Sequence, residues 1–209
     1  MMDDKKLNEQ ESLELISQMI NQTKKESAVG SGDIFLIWGY ICTLISLAVY
    51  ALAYISRDGR WGWLYIAIPA AGFVATGVLA RWISKKYKGP KTYQTQSISG
   101  IWGCLAAIFA VYMIVCFASW NHPDCWKGMF LLGLLLPGLG TGCTGVILKE
   151  NVISLCGGLG AASGLIFLPK LCEGGGIPLN WTILMAVAMV ISLVIPGHIL
   201  NYKAKKINA

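Results

Sequence analysis

Six long runs of apolar residues, at roughly 34–55, 61–83, 98–120, 127–148, 152–168 and 177–200, constrain this chain more than any other feature. A helix rises ~1.5 Å per residue, so about 20 residues cross ~30 Å of hydrocarbon. A backbone in lipid must satisfy its own hydrogen bonds, which leaves helices or a closed barrel. Period-two alternation is absent, so the barrel falls away. Apolar residues make up 55% of the chain and charged ones 13%, against ~45–50% and ~25% in a soluble domain. The polar side chains are too few to cover a water-facing surface. The expected class is all-α: a polytopic membrane bundle of six transmembrane helices, preceded by an amphipathic helix. The run at 152–168 is short and rich in glycine, and a re-entrant hairpin is its alternative.

Charge orients the bundle. With six crossings and the N-terminus inside, the inner segments hold 13 of the 17 basic residues, from Lys5 to Lys206. The outer loops hold Arg57, Arg60, Lys127 and Lys170. The positive-inside rule then places both termini in the cytoplasm. Trp61, Trp63, Trp120, Trp126 and Trp181 fall at outer ends of spans, and Trp82 near an inner end, as indole favours the headgroup region. Trp38 and Trp102 lie a turn inside their spans and are the best candidates for packing between helices. The chain divides into a leader at 1–33, a membrane domain at 34–200 and a basic tail at 201–209. The expected location is the bacterial inner membrane.

No cleavable signal peptide precedes the first span, because the opening ~33 residues are polar and charged. Leu13, Ile16, Met19 and Ile20 form an apolar stripe within 9–26, opposite a face of mixed charge. A lipid-surface helix has a strongly basic polar face. Mixed charge favours contact with a protein, either a cytoplasmic partner or a second copy. The alternative is packing beneath its own bundle. The lysines of SKKYKGPKTY set topology and attract anionic lipid; nucleic-acid contact is not expected.

The centres of all six runs lack Asp, Glu, Lys, Arg and His. This argues against a carboxylate proton relay, a voltage sensor and an intramembrane metalloprotease. His122 and His198 stand about a bilayer apart, too far to cooperate. No catalytic residue, metal or cofactor is expected, and the chain is read as non-enzymatic. Cys42, Cys104, Cys116, Cys143 and Cys156 lie within spans and read as small apolar residues. Cys125 and Cys172 lie in two outer loops and could form a disulfide. His122, Asp124 and Glu173 share those loops, but HPDC matches no standard zinc pattern.

Glycine is the next signal. Gly138 and Gly142 in the fourth run, with Gly160 and Gly164 in the fifth, stand four apart, the spacing that lets helix backbones approach. The three-residue connection at 149–151 makes these helices antiparallel neighbours. A tight hairpin is one reading. The other is an interrupted helix lining a path with Thr141, Thr144 and Ser163. The contexts IWGY and IWGC open the first and third runs alike, and Pro69, Pro137 and Pro196 recur in the even-numbered ones. Together they hint at a two-helix unit used three times, though the prolines differ in depth.

The run LELISQMINQTKKES followed by FLIWGYICTLISLAVYAL, the stretch Pro137–Leu148 and the ending IPGHIL at Ile195–Leu200 resemble a group of small uncharacterised bacterial six-span integral membrane proteins with an amphipathic N-terminal helix. The resemblance carries no catalytic motif. It implies a membrane partner of a cytoplasmic transcription regulator. The leading functional expectation is therefore a non-enzymatic membrane protein acting through protein contacts, in regulation or sensing. The alternative is a small transporter or channel for a neutral solute or ion.

Overall fold

A computed structural model describes residues 13, 14, 17, 31–57, 59–86, 93–119, 123–172 and 178–208. Among these every regular element is helical. α1 spans Ser31–Ser56. A 3₁₀ segment, Gly59–Ile66, leads into α2, Ala67–Lys86. α3 is Tyr93–Ala118, and a short 3₁₀ turn, Pro123–Lys127, leads into α4, Gly128–Ile147. α5, Asn151–Leu165, is followed by α6, Leu168–Cys172. α7, Asn180–Met189, passes through a π-helical turn at Val190–Val194 into α8, Ile195–Asn208.

Among the described residues, five stretches are long and apolar enough to cross a membrane: Gly32–Ser56, Arg60–Arg81, Tyr93–Ala118, Cys125–Ile147 and Asn180–Lys206. The run expected at 152–168 forms a shorter apolar helix that ends at Leu165. A turn at Ile166 and Phe167 separates it from α6, where Pro169 restricts the residue before it and lacks an N–H to continue the ladder. α8 continues to Asn208 through the stretch read as the basic tail, since no glycine or proline interrupts it after Gly197.

The helix ends follow from local chemistry. Asp33 lies in the first turn of α1, and Lys205 and Lys206 lie in the last turn of α8, each matching the helix dipole. α4 closes with the Glu150 N–H donating to the Gly145 carbonyl at 2.8 Å and the Lys149 N–H to that of Val146 at 3.1 Å. This is a Schellman closure, with Lys149 in the left-handed conformation at φ 57°.

Cross-links fix which ends lie together. Asn201 donates to Asp33 at 2.6 Å, and Lys203 pairs with Glu150. The start of α1, the α4–α5 connection and the end of the chain therefore meet at one end of the bundle, the Asp33 end. At the other, the Arg57 end, Trp61 donates to Ser56 at 2.7 Å and Trp63 packs on Trp126 at 5.7 Å. Phe167 packs there on both Phe130, at 5.6 Å, and Trp181, at 4.3 Å.

The densest packing joins α4 to α5. A methyl group on Gly145 would collide with the backbone of Ser154, one on Gly157 with that of Gly142, and one on Gly138 with that of Ala161. On Gly164 it would come within 3.1 Å of the Leu131 carbonyl and the Leu135 amide. The two helices thus run antiparallel with backbones touching from Gly145 to Leu131. α7, the π-turn and α8 cover this pair, with Ser192 lying on Gly160, and α1 packs along their other side. α2 packs chiefly on α1, and α3 chiefly on α4.

The π-turn precedes Pro196. In an α-helix that ring would strike the carbonyl four residues back and leave it unpaired. The wider turn, with bonds from i to i+5, accommodates it.

Candidate functional site

α1 and α2 are locked by one side-chain arrangement, and α3 and α4 by the same one. The Trp38 indole N–H donates to Thr76 Oγ1 at 2.9 Å, and the Trp102 indole N–H to Thr144 Oγ1 at 3.2 Å. Four residues before each threonine is a glycine with the indole lying on it. A methyl group on Gly72 would meet Trp38 Cζ2 at 2.8 Å, and one on Gly140 would meet Trp102 Cζ2 at 2.9 Å. Three residues earlier again stands a proline. Pro69 to Val78 and Pro137 to Val146 both read P-x-x-G-x-x-x-T-G-V. The tryptophans are offset by 64 residues and the P-x-x-G motifs by 68. The repeated unit is thus a hairpin used twice. Pro196 belongs to the π-turn and has no such partner, which corrects the expectation of three copies.

Between these hairpins lies a cleft of about 1850 Å³. Matching positions of the two copies line it. Ile34, Phe35, Trp38, Cys42 and Val49 of α1 correspond to Ile98, Ser99, Trp102, Ala106 and Met113 of α3, each 64 residues on. Ile68, Pro69 and Thr76 correspond to Leu136, Pro137 and Thr144, each 68 residues on. Thr182, Met185, Met189 and Leu193 close one side, and α5 contributes nothing. The cleft runs along the bundle from Ile34 and Leu148 to Arg57 and Lys127. Its volume exceeds the ~300–1,000 Å³ of ordinary small-molecule pockets. Most of its wall is apolar, and its two threonines at the clasps have their hydroxyls engaged by indoles.

Two features set the wall's chemistry. Arg57 and Lys127, both at the Arg57 end, are the charged side chains in the lining among the described residues. Arg57 follows α1 in the left-handed conformation, φ 53°. Secondly, Tyr65 presents a buried hydroxyl beside Ser46 and Cys42 of α1. Both hydroxyls are closed off from the open space, and that of Tyr65 lies within reach of that of Ser46.

The residues expected from sequence to form a path do not share one. Thr144 borders the cleft and also donates to the Gly140 carbonyl at 2.7 Å. Thr141 is fully buried away from the cleft, with its hydroxyl unpartnered among the described residues. Ser163 donates to the Gly160 carbonyl of its own helix at 2.6 Å. Gly138, Gly142, Gly160 and Gly164 all lie in the α4–α5 seam or against Ser192, where touching backbones leave no passage. The open space is on the opposite face of α4.

Cys125 and Cys172 are free thiols rather than a disulfide. The Cys125 carbonyl accepts from Tyr112 and from the Cys116 thiol at 3.5 Å, which holds that turn against α3, while Cys172 is exposed at the end of α6. Leu13 is helical and exposed. Ile16, Met19 and Ile20 of the leader, with His122 and Glu173, lie outside the described residues. Trp38, Thr76, Pro69, Arg57, Lys127 and Tyr65 are site residues that sequence reasoning did not assemble; the twice-used P-x-x-G-x-x-x-T-G-V is the signal that pointed to several of them.

Comparison with protein-family models, with curated proteins and with solved structures yields no match to this chain.

Proposed function

We propose that this is a non-enzymatic, multi-pass protein of a bacterial inner membrane that holds an apolar guest between its two hairpins and acts through protein contacts, as a sensing or regulatory membrane partner. The observation that carries the reading is the apolar cleft between duplicated hairpins. Transporters built from repeats place their binding sites at the repeat interface. The arrangement is asymmetric in packing, since α2 and α3 are the least buried spans and flank the cleft. A guest would therefore be able to separate or close them without disturbing the α4–α5 seam.

The topology belongs to the same proposal: six crossings with both termini cytoplasmic. Three observations support it. Asp33, Glu150, Asn201 and Lys203 meet at one end. α5 runs the length of α4 to reach Phe130 at the other. With six crossings, the sequence segments assigned to the inside carry 13 of the 17 basic residues. Reporter tags at the two ends should then give the same answer.

The leader, with Leu13, Ile16, Met19 and Ile20, would meet the cytoplasmic partner or a second copy. The test is affinity capture from native membranes with and without residues 1–30. Loss of a partner on truncation is the expected result. An unchanged set of partners from a protein that is also monomeric would sink the contact reading.

The second reading is a small transporter or channel for a neutral solute or ion, and the full length of the cleft favours it. Solute flux in proteoliposomes that disappears in Ala106→Phe would establish transport in place of sensing.

A further inference from the structure

Near its end, α3 aims two side chains at one carbonyl. Tyr112 and Cys116 stand four residues apart, so they share a face of the helix. The Tyr112 hydroxyl donates to the Cys125 carbonyl, and the Cys116 thiol donates to the same oxygen at 3.5 Å. Gly128 makes room for this approach, because a methyl group there would collide with the Tyr112 hydroxyl. Phe117 meets Trp126 edge to face at 5.1 Å. The 3₁₀ turn Pro123–Lys127 is thereby pressed onto α3. The Cys116 and Cys125 thiols and the Tyr112 hydroxyl lie within electrostatic reach of one another. A carbonyl oxygen lies ~2.4 Å from its own Cα, so Cys116 Sγ is within about 6 Å of the Cys125 Cα. Both thiols are free, and they differ in access: Cys116 is fully buried and Cys125 half-buried.

We propose that Cys116 and Cys125 are a disulfide-forming pair whose closure pins the turn to α3. A rotamer change at Cys125 is the motion that brings its sulfur to Cys116. The co-reactant is a small-molecule disulfide such as oxidised glutathione. The accessible Cys125 thiolate attacks one glutathione sulfur and expels the other as a thiolate. Cys116 then gives up its proton and attacks the Cys125 sulfur. The Cys116–Cys125 bond forms and the second glutathione leaves. Two protein thiols thus lose two electrons and two protons, and one glutathione disulfide takes them up as two thiols. The same turn carries Trp126 and Lys127, which line the cleft, so closure fixes that end of it. The Arg57 end faces outside in the topology proposed above, where thiols meet an oxidising environment. The compartment follows from that topology, and the chemistry of the pair is independent of it.

The test uses the full chain, purified under reductant in neutral detergent, desalted and treated with oxidised glutathione. Peptide mapping by mass spectrometry should find Cys116 joined to Cys125, two hydrogens lighter than the reduced pair. Exposed Cys172 serves as the control for reagent access. Cys116→Ser should leave glutathione on Cys125, because nothing displaces it. Cys125→Ser should leave Cys116 unmodified, because the reagent does not reach it. Native membranes are then precipitated with acid and alkylated in denaturant. Cys116 and Cys125 should take the label only after reduction.

Glutathione that stays on wild-type Cys125, or a bond from Cys125 to Cys172, overturns the proposal. So does a Cys125 that remains unmodified while Cys172 reacts. If the bond closes in the purified protein but both thiols label without reduction in native membranes, the pair stands and the outward placement of the Arg57 end falls. Melting temperatures of the two serine variants in detergent separate lost chemistry from lost folding.

Discussion

α4 has two faces, and they are packed on opposite principles. Toward α5 it presents Gly138, Gly142 and Gly145, and the two backbones touch. Toward α1 and α3 it presents Phe130, Leu136, Pro137 and Thr144, and those helices stand off to leave about 1850 Å³. Lipid tails are as apolar as leucine, so burying apolar surface does not by itself drive helices together in a membrane. Close van der Waals approach does, and small residues permit it. The seam has that approach along its whole length. At the cleft each hairpin is held by one indole clasp, and the two hairpins meet through ring contacts such as Phe35 on Trp102 and Tyr65 on Phe130 rather than backbone to backbone. The rigid half of the molecule is thus built by removing side chains, and the adaptable half by spacing helices with indoles.

The comparison breaks most readily at the seam. Gly157→Ala and Gly145→Ala should each destabilise the protein by roughly 1–3 kcal/mol or more, because the new methyl meets backbone that cannot move aside. Gly158→Ala, on the open side of the same helix, should stabilise by up to ~1 kcal/mol through helix propensity. Unfolding in mixed micelles measures both, and equal effects at 157 and 158 would dissolve the seam. At the clasps, Trp38→Phe and Trp102→Phe should each lose about 0.5–1.7 kcal/mol, the range for hydrogen bonds between membrane helices. The same unfolding experiment checks this, and similar losses at the two sites would sharpen the case that the hairpins are copies.

A smaller effect is expected at the turn of the seam hairpin. Lys149→Gly removes a side chain from a left-handed position and should stabilise by about 0.5–1 kcal/mol. The smallest belongs to the cleft. Ala106→Phe should change stability by less than ~0.5 kcal/mol, since the added ring enters open space. A large loss there would mean that the cleft closes in the membrane.

The spans were readable because each is long and apolar enough to be helical without help from its neighbours. The reading 127–148 meets Cys125–Ile147, and 61–83 meets Arg60–Arg81. The fifth run was harder because its length lies between a span and a core helix, and Pro169 breaks it. The site was legible only in fragments. Thr144 was visible as a hydroxyl within a span, but uniformly apolar helices carry no periodic stripe to say which face meets which neighbour. It was therefore grouped with Thr141 and Ser163, which point elsewhere. Comparing three prolines by depth concealed that two of them share a ten-residue motif while Pro196 answers to the π-turn. Arg57 and Lys127 counted as loop charges, since nothing local brings residues 70 positions apart to one mouth.

The π-turn at Val190–Val194 acts as a rotational offset for everything that follows. One residue of an α-helix corresponds to about 100° of rotation. Deleting a single residue from this turn would swing Gly197, His198 and Asn201 away from α1 together. It would release the close approach of Gly197 to Leu36, the 2.8 Å bond between Tyr40 and His198 and the one between Asn201 and Asp33. The last helix is keyed to the first like a shaft to a hub, and its key is a single surplus residue.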